Sequence, residues 1–156
     1  MISNTSPLCY LALIAQVDVL PALFGEVIIP EAVSIELKDQ GAPQAVRQWL
    51  ASPTPWLKIM SASPKSDPIL RRLHRAEQEA ILLGEELTAD LLLLDEKAAR
   101  RAAVERGLNV TGLVGILDRA ATVGLIELPS VLARLSQTNF RVAPRILKKV
   151  LDRHYP

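Results

Sequence analysis

The chain reads as an α/β domain on a mostly parallel sheet, and three observations predict that class. Short apolar runs alternate with longer amphipathic stretches along the sequence, the pattern of strands joined by helical crossovers. Leu91-Leu92-Leu93-Leu94 shows no alternation at all, as expected of a strand covered on both faces. Apolar residues make up 49% of the 156 residues but aromatic ones only 4%, so the core is built from Leu, Ile, Val and Ala. Such a core suits helices packed on a parallel sheet better than a β-sandwich. The length is that of a single domain, residues 1–156, large enough to bury a core without disulfide or metal staples.

The elements follow in order. The run Ile2-Ser3-Asn4-Thr5-Ser6-Pro7-Leu8 reads as a buried strand that stops at the small polar cluster Asn4, Thr5 and Ser6. In a parallel α/β sheet the first strand is central and its carboxyl end faces the ligand crevice. Ser6-Pro7 supplies a polar cap and a first-turn proline for a helix carried by Leu8, Leu11, Ala12 and Ala15. Gly25 precedes a strand at Val27-Ile28-Ile29, and Pro30 opens a helix that runs to about Asp39 and is ended by Gly41. Residues 42–67, with Pro43, Pro53, Pro55 and Pro64, are the least regular part; a helix over 45–50 and a short strand at Trp56-Leu57-Lys58-Ile59 are expected there. A helical pattern over about 68–87, broken near Arg75, leads into the leucine strand, which Asp95-Glu96 closes. A basic helix over 97–106 closed by Gly107, a short strand at Val110, a helix over 112–123 stopped at Gly124, and helices over 130–137 and 144–153 complete the chain.

Eighteen basic and seventeen acidic residues give a net charge of +1, which argues against strong sequence-independent binding to a long duplex. Basic residues are nonetheless clustered: Arg71, Arg72 and Arg75; Lys97, Arg100, Arg101 and Arg106; Arg141, Arg145, Lys148, Lys149 and Arg153. The lone Cys9 has no partner for an internal bridge and reads as packing in a reducing compartment, the cytoplasm. No basic region precedes the first apolar run, which Pro7 and Asp18 bracket, so a signal peptide is not expected. No stretch approaches the ~20 apolar residues that span a bilayer, so neither is a membrane partner.

Three acids stand out by position. Asp95 ends the leucine strand and is expected beside Asn4 at the same sheet edge. Glu36 lies four residues after Ala32 and in line with Val33 and Leu37, so it is expected to look inward near the buried face of its helix. Glu77 shares a helical stripe with Leu73, Ala80, Ile81 and Gly84, whereas Glu79 keeps company with Arg72, Arg75 and Glu86; Glu77 is therefore the better candidate to face the sheet edge. Carboxylates converging at strand ends need a cation, and oxygen-only donors select hard ions such as magnesium or manganese. Such ions activate water and clamp a phosphodiester. Each acid also has a purely structural reading: Glu36 pairing at the surface with Lys38 or Arg47, Asp95 capping the helix over 97–106, Glu77 as an early-turn acid.

In chain order, NTSPL, VIIPEAVSIEL, AEQEAI and LLLLDEKAARRAAVERGLNVTG resemble the PIN-domain family, in particular its small prokaryotic VapC-like group, over residues 2 to about 150. The resemblance implies a three-layer α/β/α sandwich with a central parallel sheet and a magnesium- or manganese-dependent endoribonuclease site. Its catalytic positions fall on Asn4, Glu36, Glu77 and Asp95, with Glu36, Glu77 and Asp95 as metal ligands. Thr5 and Ser6 match the small hydroxyl residues that follow the first acid and help to fix water at the metal; Glu96 is the acidic neighbour of the fourth position, and Glu79 the other reading of the third. Asn4 stands where the family carries an acid, which implies weak or absent turnover, and His74 and Ala76 also depart from the pattern. If the helix from Lys97 begins beside the acidic edge, Arg100 or Arg101 can steer an RNA backbone toward the metal; the alternative is a solvated helix face paired with Glu105 and its neighbours. The resemblance further implies a toxin acting on RNA, restrained by a small antitoxin protein and paired as a homodimer. The rival reading is a non-catalytic PIN-like module that binds RNA or protein, and Asn4 is its main support.

Overall fold

A computed structural model describes residues 1–156. Its elements are β1 (Ile2–Ser3), α1 (Thr5–Leu13), α2 (Val19–Phe24), β2 (Val27–Pro30), α3 (Glu31–Leu37), α4 (Gln44–Ala51), β3 (Leu57–Met60), a 3-10 turn (Leu70–Arg72), α5 (Arg75–Glu86), β4 (Leu92–Leu93), α6 (Lys97–Glu105), β5 (Val110–Thr111), α7 (Leu113–Thr122), α8 (Leu128–Ser136) and α9 (Pro144–His154). The five strands form one sheet in the order β3-β2-β1-β4-β5, and every pairing is parallel. The chain winds outward from β1 through β2 and β3, then returns to the other side of β1 for β4 and β5. The winding thus reverses between β1 and β4, and open α/β sheets place their ligands in the crevice outside the carboxyl ends of such a pair.

The strand period of two divides the core between the two faces of the sheet. Val27, Ile29 and Leu93 join a cluster of 24 buried residues shared with α1, α2, α3, α4, α7, α8 and α9. Ile2, Leu92 and Leu94 join a cluster of 11 shared with α5 and α6. That is the expected three-layer arrangement. The thinner layer sits close on the sheet because of Gly84 in α5, where a Cβ would lie 2.9 and 3.2 Å from the Leu92 methyls.

Most expected elements are present, with differences that have local causes. The helix over 68–87 is interrupted: after the 3-10 turn, Leu73 and His74 are extended, and α5 begins at Arg75. α3 stops at Leu37, and Gly41 instead closes a turn in which its N–H donates to Asp39 Oδ1 at 2.7 Å. α2 is an addition to the expected elements; Pro21 occupies its first turn, where a helix leaves N–H groups unpaired in any case. No helix is long and apolar enough to cross a membrane.

Gly107 and Gly124 close α6 and α7 with φ near +77°, but α5 closes on Thr88 at φ +50°. The Thr88 N–H donates to Glu85 O and the Ala89 N–H to Gly84 O at 3.0 Å, a helix end that favours glycine. A left-handed conformation costs an L-residue about 1–2 kcal/mol, of which glycine's extra unfolded-state entropy takes back part. Thr88→Gly is therefore expected to stabilise the fold by about 0.5–1 kcal/mol, seen as a higher urea midpoint at unchanged slope. An unchanged or lower midpoint refutes the strain.

Candidate active site

Asn4 and Asp95 stand on either side of the winding reversal. The Asn4 N–H donates to Leu93 O at 3.1 Å, which continues the β1–β4 ladder and fixes Asn4 at the sheet edge. Its side chain is buried, does not cap α1, and leaves Oδ1 without a hydrogen-bond partner. Asp95 follows Leu94, whose N–H donates to Thr111 O at 2.9 Å. Asp95 Oδ1 accepts the N–H of Leu113 at 2.9 Å, while its Oδ2 is buried and unpartnered. Burial pushes the Asp95 carboxyl above the ordinary aspartate range, against the pull of the Leu113 amide and of Arg100.

The capping expectation for Asp95 is thereby corrected: it caps α7, not the helix over 97–106. The N-cap of that helix, α6, is Glu96, whose side chain makes no cap hydrogen bond. Gly112 makes the α7 contact possible, since a Cβ there would lie 2.8 Å from Asp95 Oδ1 and 2.5 Å from Arg100 Nη1. Periodicity alone presents Gly112 only as a helix start. The signal is present in the step from β5 into a helix through a glycine, but the side chains that demand it come from other segments.

The remaining acids gather on the neighbouring elements. Glu36 is exposed on α3 rather than turned inward with Val33 and Leu37; it accepts the hydroxyl of Thr5 and pairs with neither Lys38 nor Arg47. Glu77 is 5% exposed in the first turn of α5, where its Oε2 accepts the His74 N–H at 3.1 Å. Burial raises the Glu77 carboxyl; the His74 amide and ring oppose this, and the charges of Glu96 and Glu36 add to it. Glu36, Glu77 and Glu96 thus share one electrostatic field. Glu79 turns elsewhere: its Oε2 accepts the Ala32 N–H at 2.9 Å and its Oε1 pairs with Arg75 at 2.8 Å, tying α5 to the start of α3.

Ser6, in the first turn of α1, is exposed. Arg100 directs Nη1 toward Leu94 O at 3.4 Å and acts electrostatically on Asp95. Arg101 faces solvent and pairs with Glu105 at 2.9 Å, so the two arginines are not equivalent. Cys9 is half-buried, and burial together with the charge of Glu36 pushes its thiol up.

No three Asp, Glu, His or Cys side chains form a ready-made metal cage. Magnesium does not require one, because it keeps several waters and is commonly held by one or two carboxylates. The donors available are all oxygens, and two of them, Asn4 Oδ1 and Asp95 Oδ2, are buried without partners. Leaving a buried acceptor unsatisfied costs about 1–3 kcal/mol, so orphans of this kind point to an ion or water. The residues present therefore fit a hard divalent cation.

Residues 1–155 match the family DUF3368, described as a PIN domain. No curated protein matches the chain, and neither does a solved structure.

Proposed function

The chain belongs to the PIN domain family, and on that premise we propose that it is a metal-dependent endoribonuclease whose turnover is attenuated by Asn4. PIN domains are typically nucleases that bind magnesium or manganese. The observation that carries the reading is the pair of unpartnered buried oxygens, Asn4 Oδ1 and Asp95 Oδ2, at the carboxyl ends of β1 and β4. Asp95 would hold the ion, and Glu77 and Glu36, the other acids assigned to the metal, would add negative charge around it or meet it through its waters. When bound, it supplies an activated water and neutralises charge on the phosphodiester.

The protein's own part is orientation. The Leu113 amide holds one oxygen of Asp95 and leaves the other free, the His74 amide fixes Glu77, and Thr5 fixes Glu36. Arg100, beside Asp95, offers a planar donor fork to a phosphate oxygen. The VapC-like resemblance extends the proposal to a toxin acting on RNA, held by a small antitoxin and working as a homodimer. Asn4 favours one second reading, a non-catalytic module that binds RNA or protein at the same groove.

The test is cleavage of single-stranded RNA in manganese. Slow cleavage is expected, lost on chelation and reduced about tenfold by Glu77→Gln, the scale on which disturbed metal-site residues act. Cleavage that survives chelation, or that Glu77→Gln leaves untouched, overturns the reading. Binding with no cleavage, even after Asn4→Asp, selects the non-catalytic module.

A further inference from the structure

A cleft of about 1010 Å³ opens beside Asp95. Lys97 and Arg100 line it from α6, and Arg141, Arg145, Lys149 and Arg153 line it from α9 and the segment before it. Asp95 is the only acid in the lining. In a chain of net charge +1, this is a concentrated positive surface.

The cations are ordered as well as numerous. Arg141, Arg145, Lys149 and Arg153 recur at every fourth residue, and the last three lie on α9 along one side. Four residues advance a helix by about 6 Å, the order of the spacing between consecutive phosphates in an extended strand. Arg153 is tied to Asp118, which also meets His154 Nε2 at 2.7 Å, so the end of α9 is fixed to α7. Lys148, next to the stripe, is neutralised by Asp152 at 2.9 Å. Lys97, Arg141, Arg145 and Lys149 have no ion-pair partner in the chain. Phe140, Val142 and Ile146 add an apolar floor among the charges. Single-stranded nucleic acid is bound by this combination of a positive groove for the backbone and an apolar or aromatic surface for the bases.

We propose that this cleft is a track for single-stranded nucleic acid, with α9 reading successive phosphates and leading the strand to Asp95. Its direction toward Asp95 rests on the nuclease reading; binding in the cleft does not. An acidic peptide would meet the same cations, but Phe140, Val142 and Ile146 set among them offer the apolar surface on which bases rest, and the experiment includes an acidic peptide as a competitor.

The experiment measures binding of a short labelled oligouridylate in chelator, so that cleavage plays no part. For Arg145→Glu/Lys149→Glu, the Kd is expected to rise by about tenfold or more. The slope of log affinity against log salt should become shallower by roughly 1.4, about 0.7 for each phosphate that the protein no longer neutralises. Lys148→Glu, off the stripe, is expected to leave both unchanged. Arg145→Gln/Lys149→Gln gives the same direction with a smaller loss and guards against misfolding, which circular dichroism checks. Unchanged affinity and slope in both double variants overturn the track, as does tighter binding of duplex RNA or of a polyglutamate peptide. A chain that binds through the cleft but never cleaves sinks the nuclease reading alone; one that cleaves while the double variants bind normally sinks the track alone.

Discussion

Asn4→Asp is expected to raise metal-dependent RNA cleavage by about 100-fold and to lower the metal concentration required. At about 4 Å and an effective dielectric of about 20, one unit-charge pair is worth about 4 kcal/mol, and a dication doubles that. Repulsion from the neighbouring carboxylates cancels much of this gain, so a net of about 2.7 kcal/mol, the equivalent of 100-fold, is a moderate share. Geometry favours the same outcome. Asparagine and aspartate have the same shape, and Asn4 is held by the Leu93 carbonyl, so the substitution changes charge without moving the oxygen already buried there. What it removes is an amide donor at the position where an acceptor is needed. The water attacking phosphorus tolerates little misplacement, which is why catalysis should respond more than binding. Without metal, the added buried carboxylate should lower the melting temperature, and manganese should restore it by mass action. Equal cleavage by the two proteins, with equal response of the melting temperature to manganese, would remove Asn4 as the cause of attenuation.

Legibility in the sequence follows the range of the interactions. The strands could be read because β2 and β4 are covered on both faces, and a run such as Leu92-Leu93-Leu94 needs no knowledge of its neighbours. The ends of α6 and α7 could be read because Gly107 and Gly124 supply a local backbone need. The inward Glu77 and the paired Glu79 separate on helical periodicity alone, since one stripe of α5 is apolar and the other charged. What escapes is set by contacts distant in sequence. Asp95 finds its partner eighteen residues later in Leu113, Gly112 is required by Asp95 and Arg100 together, and Glu79 reaches forty-seven residues back to Ala32. A single sequence read by local pattern contains the residues of each pair but not their meeting. The basic cleft is of the same kind: the stripe on α9 is visible as a cluster, but only the docking of α9 through Asp118 turns it into a wall beside Asp95.

Asp95→Asn should separate function from stability in the opposite sense to Asn4→Asp. The asparagine keeps Oδ1 for the Leu113 amide and removes only the charge, so the fold has no reason to move. Cleavage is expected to fall by about 1000-fold, since an ionised donor fixed at the reacting centre is lost; single preorganised electrostatic groups carry about that much. In the metal-free protein, however, the variant should be the more stable. The Asp95 carboxyl is raised by burial, so between its unfolded and folded pKa the native state binds the extra proton and stability falls as pH rises. Above that window the charged carboxylate carries its full desolvation penalty; below it, wild type and variant converge. Glu77 is shifted in the same direction and adds to the slope in both proteins. Melting temperatures measured in chelator from acid to neutral pH should therefore show an advantage for Asp95→Asn that grows with pH. Manganese at neutral pH should reverse the order by stabilising the wild type alone, about 2.7 kcal/mol at a hundred times the Kd. A variant that is less stable than wild type at neutral pH without metal would mean that Leu113 and Arg100 outweigh burial. Asp95 would then be a structural acid rather than a seat for a cation.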